Sequence, residues 1–187
     1  HVEERVRTSL SLYRNRLTGL IVNVPSSWMG MDSLEGKRVY HRINSNRALV
    51  QGIELSTHIN LGRGLSIKGF SSYTHGHDLS SMVPMRRIPP FNGGLTAAYS
   101  GKTWGLAVWS LFAGAQNRLS PGDLADDRIN NEGTPGWSTL NINAHYQWKV
   151  FRLNGGVRNI LNTAYRLHGS GIDGIGRTAW LSVAVDI

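Results

Sequence analysis

Residues with the chemistry to bind or react are few in this sequence, and they are scattered along it. The tightest group is Thr74-His75-Gly76-His77-Asp78, which offers two imidazoles and a carboxylate, donor types that a divalent metal accepts. It stands where an alternating apolar run gives way to a polar one. A hydrated loop cluster is therefore expected there, and no metal site is assigned. His58 and His145 each alternate with Asn and Ser, the pattern of a solvated face. Gly169-Ser-Gly-Ile-Asp-Gly-Ile-Gly176 has the glycine content of a phosphate cradle, but neither a Lys nor a helix follows it. There is no Gly-x-Ser-x-Gly elbow or other nucleophile arrangement, so no catalytic residue and no cofactor are assigned. With 0 Cys, disulfides and thiolate metal sites are excluded.

The scaffold that would position these residues differs from that of an ordinary soluble domain. Its 187 residues include 22 Gly, 6 Trp and 6 Tyr, and only 17% are charged. The formal net charge of +8 would suit a nucleic acid, but the basic residues are dispersed over strands and loops instead of lining one face, so no nucleic-acid partner is expected. Anionic lipid head groups or an acidic small ligand would use the same charge. No segment approaches the roughly 20 consecutive apolar residues of a membrane-spanning helix; a barrel strand, apolar only at alternate positions, needs no such run. His1 is not an initiator Met, and no basic-then-apolar leader follows it, so the chain is expected to be processed or to be a piece of a longer one.

Period-2 alternation predicts eight strands and almost no helix. The first, about Val2 to Val24, sets Val6, Thr8, Leu10 and Leu12 against Arg5, Arg7, Ser9, Ser11 and Tyr13. The second, Val39 to Leu61, ends in Ile53, Leu55, Thr57, Ile59 and Leu61 against Glu54, Ser56, His58 and Asn60. The third, Leu65 to His75, alternates except at Phe70. Pro89-Pro90, which cannot donate to a ladder, fits the start of the fourth, Phe91 to Tyr99. The fifth, Thr103 to Asn117, is apolar on both parities, so its facing is not assigned. The sixth runs from Trp137 to Trp148, the seventh starts at Phe151, and the eighth covers Thr178 to Ile187, the chain end.

Connections alternate between short and long. Tight turns near Arg63, Gly101 and Lys149 separate the long loops 26–38, 76–88, 118–136 and 164–176. Long strands with loops sorted by length and aromatic residues near strand ends describe an outer-membrane barrel better than a soluble antiparallel sandwich. Its alternating faces would meet lipid and lumen. On the lumen parity, Arg5, Arg7, Glu54, Lys68, Arg152 and Arg158 are expected to form charge pairs with one another or with a plug, or to contact an anionic substrate.

Several segments carry a family resemblance. These are Tyr13-Arg-Asn15-Arg-Leu17-Thr-Gly-Leu-Ile21, Asn44-Ser-Asn-Arg-Ala48 with Gly52-Ile53-Glu54, Arg87-Ile-Pro-Pro90 with Gly93-Gly94, and Gly156-Val157-Arg-Asn159-Ile-Leu-Asn162-Thr-Ala-Tyr165 with Ser170-Gly171 and Gly176-Arg177. In this order and spacing, the chain resembles the C-terminal part of TonB-dependent outer-membrane receptors over essentially its whole length. One departure stands out: such barrels usually end in an aromatic residue, and this chain ends in Ile187.

The resemblance implies an all-β antiparallel transmembrane barrel of about 22 strands around an N-terminal plug. Residues 1–187 would be the last eight strands or so, the C-terminal part of the barrel domain, with the plug and earlier strands elsewhere. It further implies active import of a scarce nutrient, such as an iron chelate, a cobalamin or an oligosaccharide, with outer-membrane lipid, the rest of the receptor and TonB as partners. His168 falls within the matched terminal pattern, and a structural hydrogen bond is expected of it. By loop position, Trp28, Tyr40, Arg42, His75, His77, Arg86, Arg87 and Arg128 are the candidates for nutrient capture. The alternatives are a self-contained eight-stranded barrel with a structural or adhesin role and a soluble all-β binding domain.

Overall fold

The computed structural model describes residues 5–185. In chain order its elements are β1 (Val6–Pro25), β2 (Ser33–Leu34), β3 (Lys37–Arg38), β4 (Tyr40–Gly62), β5 (Leu65–Asp78), β6 (Val83–Pro84), β7 (Asn92–Ser100), β8 (Trp104–Ala113), α1 (Pro121–Leu124), β9 (Trp137–Trp148), β10 (Phe151–Arg158) and β11 (Thr178–Val185). The long strands form one antiparallel sheet in the order β1-β4-β5-β7-β8-β9-β10-β11, with β6 beside β5, while β2 and β3 form a small separate hairpin. Each long strand therefore pairs with the next long strand along the chain, and β1 and β11 each have one neighbour among the described residues.

Register gives the sheet two unlike faces. One row crosses it as Val6, Ile59, Ile67, Ala97, Val108, Ile142, Val157 and Ala179, apolar in every strand. A row one residue away reads Arg7, His58, Lys68, Thr96, Trp109 and Asn141. Because side chains alternate along a strand, these rows lie on opposite faces. Pairing also resolves β8, whose own pattern left its facing open: Leu106 and Val108 join the apolar face, and Trp109 and Leu111 join the polar one.

Among the described residues, nothing packs over the apolar face. Buried hydrophobic residues among those described are only Ala48, Ala113 and Ile129, whereas Leu12 is 72% exposed and Leu181 78%. A water-soluble domain of this length would bury such side chains in a core. At the short-turn end of this face aromatic rings gather: Tyr99 on Trp104 at 4.4 Å, and Trp148 beside Phe151 at 5.9 Å with the Lys149 ammonium 5.7 Å from the Trp148 ring. Phe91 and Phe112 pair at the other end, 5.6 Å apart. From Leu65 to Tyr73 the strand rises about 27 Å. In a strand tilted by about 35–45° this spans a height of about 20 Å, most of an apolar band about 25 Å tall bounded by aromatic girdles. No helix among the described residues is long and apolar enough to cross a membrane.

Strand limits differ from the sequence reading at two points that matter for the site. β5 continues to Asp78, because Ala48, Leu49 and Val50 go on pairing with Asp78, His77 and Gly76. Gly76, His77 and Asp78 are therefore strand residues, not members of the loop, and His75 lies within the strand as its expected limit had it. β8 stops at Ala113, beyond which Gln116 turns to bridge Thr134 within the long loop. The expected strand positions Val2 and Ile187 lie outside the described residues.

Candidate functional site: a three-loop arginine cluster

The loop between β8 and β9 contains a short signal absent from the sequence reading, Ser120-Pro121-Gly122-Asp123. Proline at the first helical position and a Ser/Asp capping box start α1: Ser120 Oγ accepts from Asp123 N, and Asp123 Oδ2 accepts from Ser120 N, both at 3.0 Å. Asp123 is 1% exposed, and its carboxylate also accepts the backbone N–H of Arg87 at 3.1 Å. The one-turn helix thereby fixes the loop between β5 and β7, placing two consecutive arginines.

Those arginines converge on a second carboxylate. Asp126 Oδ2 accepts from Arg86 at 2.6 Å, from Arg87 at 3.1 Å and from Arg128 at 2.7 Å, while Arg128 Nε reaches Oδ1 at 2.7 Å. The Asp126 side chain is 5% exposed, whereas the three arginine side chains remain 44–49% exposed. A third loop, between β10 and β11, lies over the same group: a methyl at Gly169 would stand 3.5 Å from Arg87, and one at Gly171 would stand 3.2 Å from Arg128. Three guanidinium charges thus face the two carboxylates Asp126 and Asp123, and the cluster keeps an excess of positive charge.

Beneath it, at the loop end of the polar face, is a cavity of about 300 Å³. Phe70, Leu111 and Trp137 supply apolar wall, and Arg87, Arg166 and His168 supply polar lining. His168 Nδ1 is 2.8 Å from Thr134 Oγ1, and its Nε2 is buried without a hydrogen-bond partner. Burial is the largest influence on this imidazole and lowers its pKa, with Arg87 acting in the same direction and Asp123 and Asp126 opposing it.

The predicted site residues fall into two groups. His77 is held by Arg118, whose guanidinium reaches His77 Nδ1 at 3.0 Å and Gly76 O at 2.7 Å. A guanidinium only donates, so that ring nitrogen is an acceptor already in use. The His75 ring lies 6.3 Å from that of His77, and Asp78 Oδ1 caps Ser80 and Ser81. No metal-ligand group of three or more His, Cys, Asp or Glu occurs among the described residues. Arg86, Arg87 and Arg128 form the cluster itself. Trp28, Tyr40 and Arg42 belong elsewhere: Trp28 bonds to Met31, Tyr40 pairs with Pro25, and Arg42 pairs with Asn23, all at the β1/β4 hairpin end.

On the polar face, the register sets several of the expected charged residues close together. Arg7, His58 and Lys68 lie side by side, and Glu54 stands between Ser11 and Ser72. The asparagine-rich segment after β10 is structural. Asn159 is 2% exposed, and its side chain bonds Thr163 O, Thr163 N and Ile175 O, while Asn162 Oδ1 accepts from Arg177 N. These bonds fold the last loop back toward the arginines.

Comparison with known proteins agrees with this geometry. The family model described as TonB dependent receptor-like, beta-barrel, matches residues 3–160. The chain belongs to that family, whose members are outer-membrane receptors. Among solved structures it is similar to the copper transporter OprC (TM-score 0.78, 18% identity, 96% of this chain and 28% of that one). It is also similar to the ferric enterobactin receptor PfeA of Pseudomonas aeruginosa (0.74, 17%, 98% and 29%) and to the siderophore receptor PirA of Acinetobacter baumannii (0.70, 19%, 97% and 29%). At these identities the likeness establishes the fold, and the chain spans less than a third of each structure's length. No curated protein matches.

Proposed function

We propose that this chain is the C-terminal part of the barrel wall of a TonB-dependent outer-membrane transporter that imports a scarce nutrient. The observation that carries the reading is the unburied apolar face backed by a polar one, which needs lipid on one side and a hydrated lumen on the other. Backbone groups in lipid must all be paired, so the outer edges of β1 and β11 require further strands. That favours a segment of a larger barrel over an eight-stranded barrel closed on itself. The basic row Arg7, His58 and Lys68 suits the acidic surface of a plug inside the lumen.

The nutrient would be captured at the long-loop end, by the arginine cluster and by the separate patch of Trp28, Tyr40 and Arg42. Similar structures include transporters of copper and receptors for iron chelates, so a metal or metal chelate is the first substrate class to test, ahead of a cobalamin or an oligosaccharide. TonB would act through the plug-bearing remainder of the receptor, and no catalytic step is required. The test is uptake of radiolabelled iron chelates, copper and cobalamin by cells with and without the gene, in TonB-positive and TonB-negative backgrounds. Uptake of one of them should need both the gene and TonB; uptake that persists without TonB would overturn the reading.

A further inference from the structure

We infer that a basic collar on the lipid-facing side of β1, β4 and β5 binds the phosphates of an outer-leaflet lipid whose acyl chains lie on the apolar rows below it. Register places the collar. The apolar rows of these strands end at Leu12, Ile53 and Tyr73, and the next row on the same face reads Arg14, Gln51 and His75. Beyond it come Arg16, Leu49 and His77, then Thr18 beside Arg47. Residues two apart along a strand share a face, so these cations stand on the side of Leu12 and Tyr73, not on the lumen side. They begin just past Tyr73, at the long-loop end, which is the exterior end of such barrels.

Arg14, Arg16 and Arg47 are exposed, and no Asp or Glu occurs in these rows among the described residues. The loop cluster differs, since Asp126 sits among its arginines. For the collar, the matching anion has to come from outside these rows. On β5 a loop adds charge: Arg118 reaches His77 at 3.0 Å, and the His75 ring stacks 6.3 Å from that of His77. Cations therefore border β4 on both sides, about 10 Å apart at the usual strand spacing, with Gln51 and Leu49 between them. A head group carrying two phosphates at about that separation spans both borders. Guanidinium forks hold phosphate through paired, charge-assisted hydrogen bonds. Directly below, Leu10, Leu12, Ile53 and Leu55 are exposed and give acyl chains a surface to lie on. An arginine that merely snorkels needs only water, whereas a lipid with phosphate at this height and hydrocarbon beneath it satisfies both zones at once.

The inference rests on the barrel reading, which gives this face to lipid, and not on transport. The protein, purified from outer membranes in detergent at the length the cell makes, would be titrated with bisphosphorylated lipid A, its monophosphorylated form and phosphatidylglycerol. Native mass spectrometry would then count the lipid retained. Wild-type protein should hold the bisphosphorylated lipid more tightly than either of the others, a comparison that needs no variant. Arg14→Gln combined with Arg16→Gln should weaken it by about tenfold or more. Arg63→Gln combined with Lys102→Gln makes the same change of charge at exposed residues of the short turns, on the other rim, and should leave retention unchanged. Heat-modifiable gel migration checks that each variant folds. Equal retention of the three lipids by the wild type, unchanged retention without Arg14 and Arg16, or an equal loss without Arg63 and Lys102 would overturn the inference and leave TonB-dependent uptake standing. Protein that stays monomeric without detergent would overturn the barrel reading along with it.

Discussion

The Tyr13 hydroxyl lies 2.7 Å from Thr74 Oγ1, although the two residues stand on strands that are not neighbours. Between them is Gly52, paired with Tyr13 on one side and Thr74 on the other, and the phenol ring lies directly over it. The bond thus ties β1 to β5 across β4, possible only because the middle residue has no side chain. Similar close approaches recur where Phe70 covers Gly94 and Trp180 covers Gly156. They explain how bulky rings fit on a face that is otherwise polar.

Gly52→Val should therefore push the ring away and destabilise the sheet by about 1–3 kcal/mol, the usual range for overpacking. Tyr13→Phe should lose only the hydrogen bond, about 1 kcal/mol. Urea-induced loss of heat-modifiable gel migration would order the two variants. Equal midpoints for Gly52→Val and wild type would contradict the stacking.

The facing of the sheet predicts an asymmetry between adjacent positions. Val108→Arg, in the middle of the apolar row, should cost about 2–4 kcal/mol in a bilayer and reduce assembled protein. Ser56→Arg, on the polar face, should be tolerated. Quantifying folded protein in outer-membrane fractions tests both, and a harmful Ser56→Arg with a harmless Val108→Arg would invert the assignment.

Asp126→Asn would leave three guanidinium groups around a side chain that carries no charge. The arginines are about half exposed, so water offsets part of the loss, and about 1–3 kcal/mol of local loop stability is expected to go. Hydrogen exchange should speed up together in the three loops around residues 86, 126 and 169. Faster exchange confined to the loop carrying Asp126 would show that the cluster does not join them.

The His168 imidazole has a pKa lowered from 6.5, chiefly by burial. Above that value both folded and unfolded forms are neutral and pH has no effect through this group. As pH falls through 6.5, the unfolded chain takes up a proton that the folded loop resists, so folding should become less favourable. Arg87, Asp123 and Asp126 face the same ring. Loop protection factors, which compare each exchange rate with the base-catalysed rate of an open amide at the same pH, should therefore fall on acidification from pH 7 toward 5, and His168→Gln should remove that fall. A variant with an unchanged acid response would assign it to the carboxylates.

What the sequence made legible was what is local. Alternation places β9 at Trp137–Trp148 and starts β10 at Phe151, because each strand's own side chains record its two faces. Phe70 and Trp109 break or blur that record, since whether a ring suits the polar face depends on a glycine or asparagine on the next strand. The arginine cluster is less legible still. Arg86 and Arg87 are forty residues or so from Asp126, and nothing near any of them marks the others as partners. Only the Ser120-Pro121-Gly122-Asp123 cap was there to be read, and it announces the helix, not what the helix braces. His168 was expected to be structural. One nitrogen is, through Thr134, while the other faces no protein partner.

The knot at Asp126 has a consequence for immune and phage recognition. Because residues from three distant stretches of chain are held around one carboxylate, the surface presented at the cell exterior by the transport reading is a composite epitope. Antisera raised against a linear peptide from any one of those loops would meet the segment in a shape it does not hold in the cell. Binders selected on the folded receptor would recognise all three loops at once and lose their target when Asp126 is replaced.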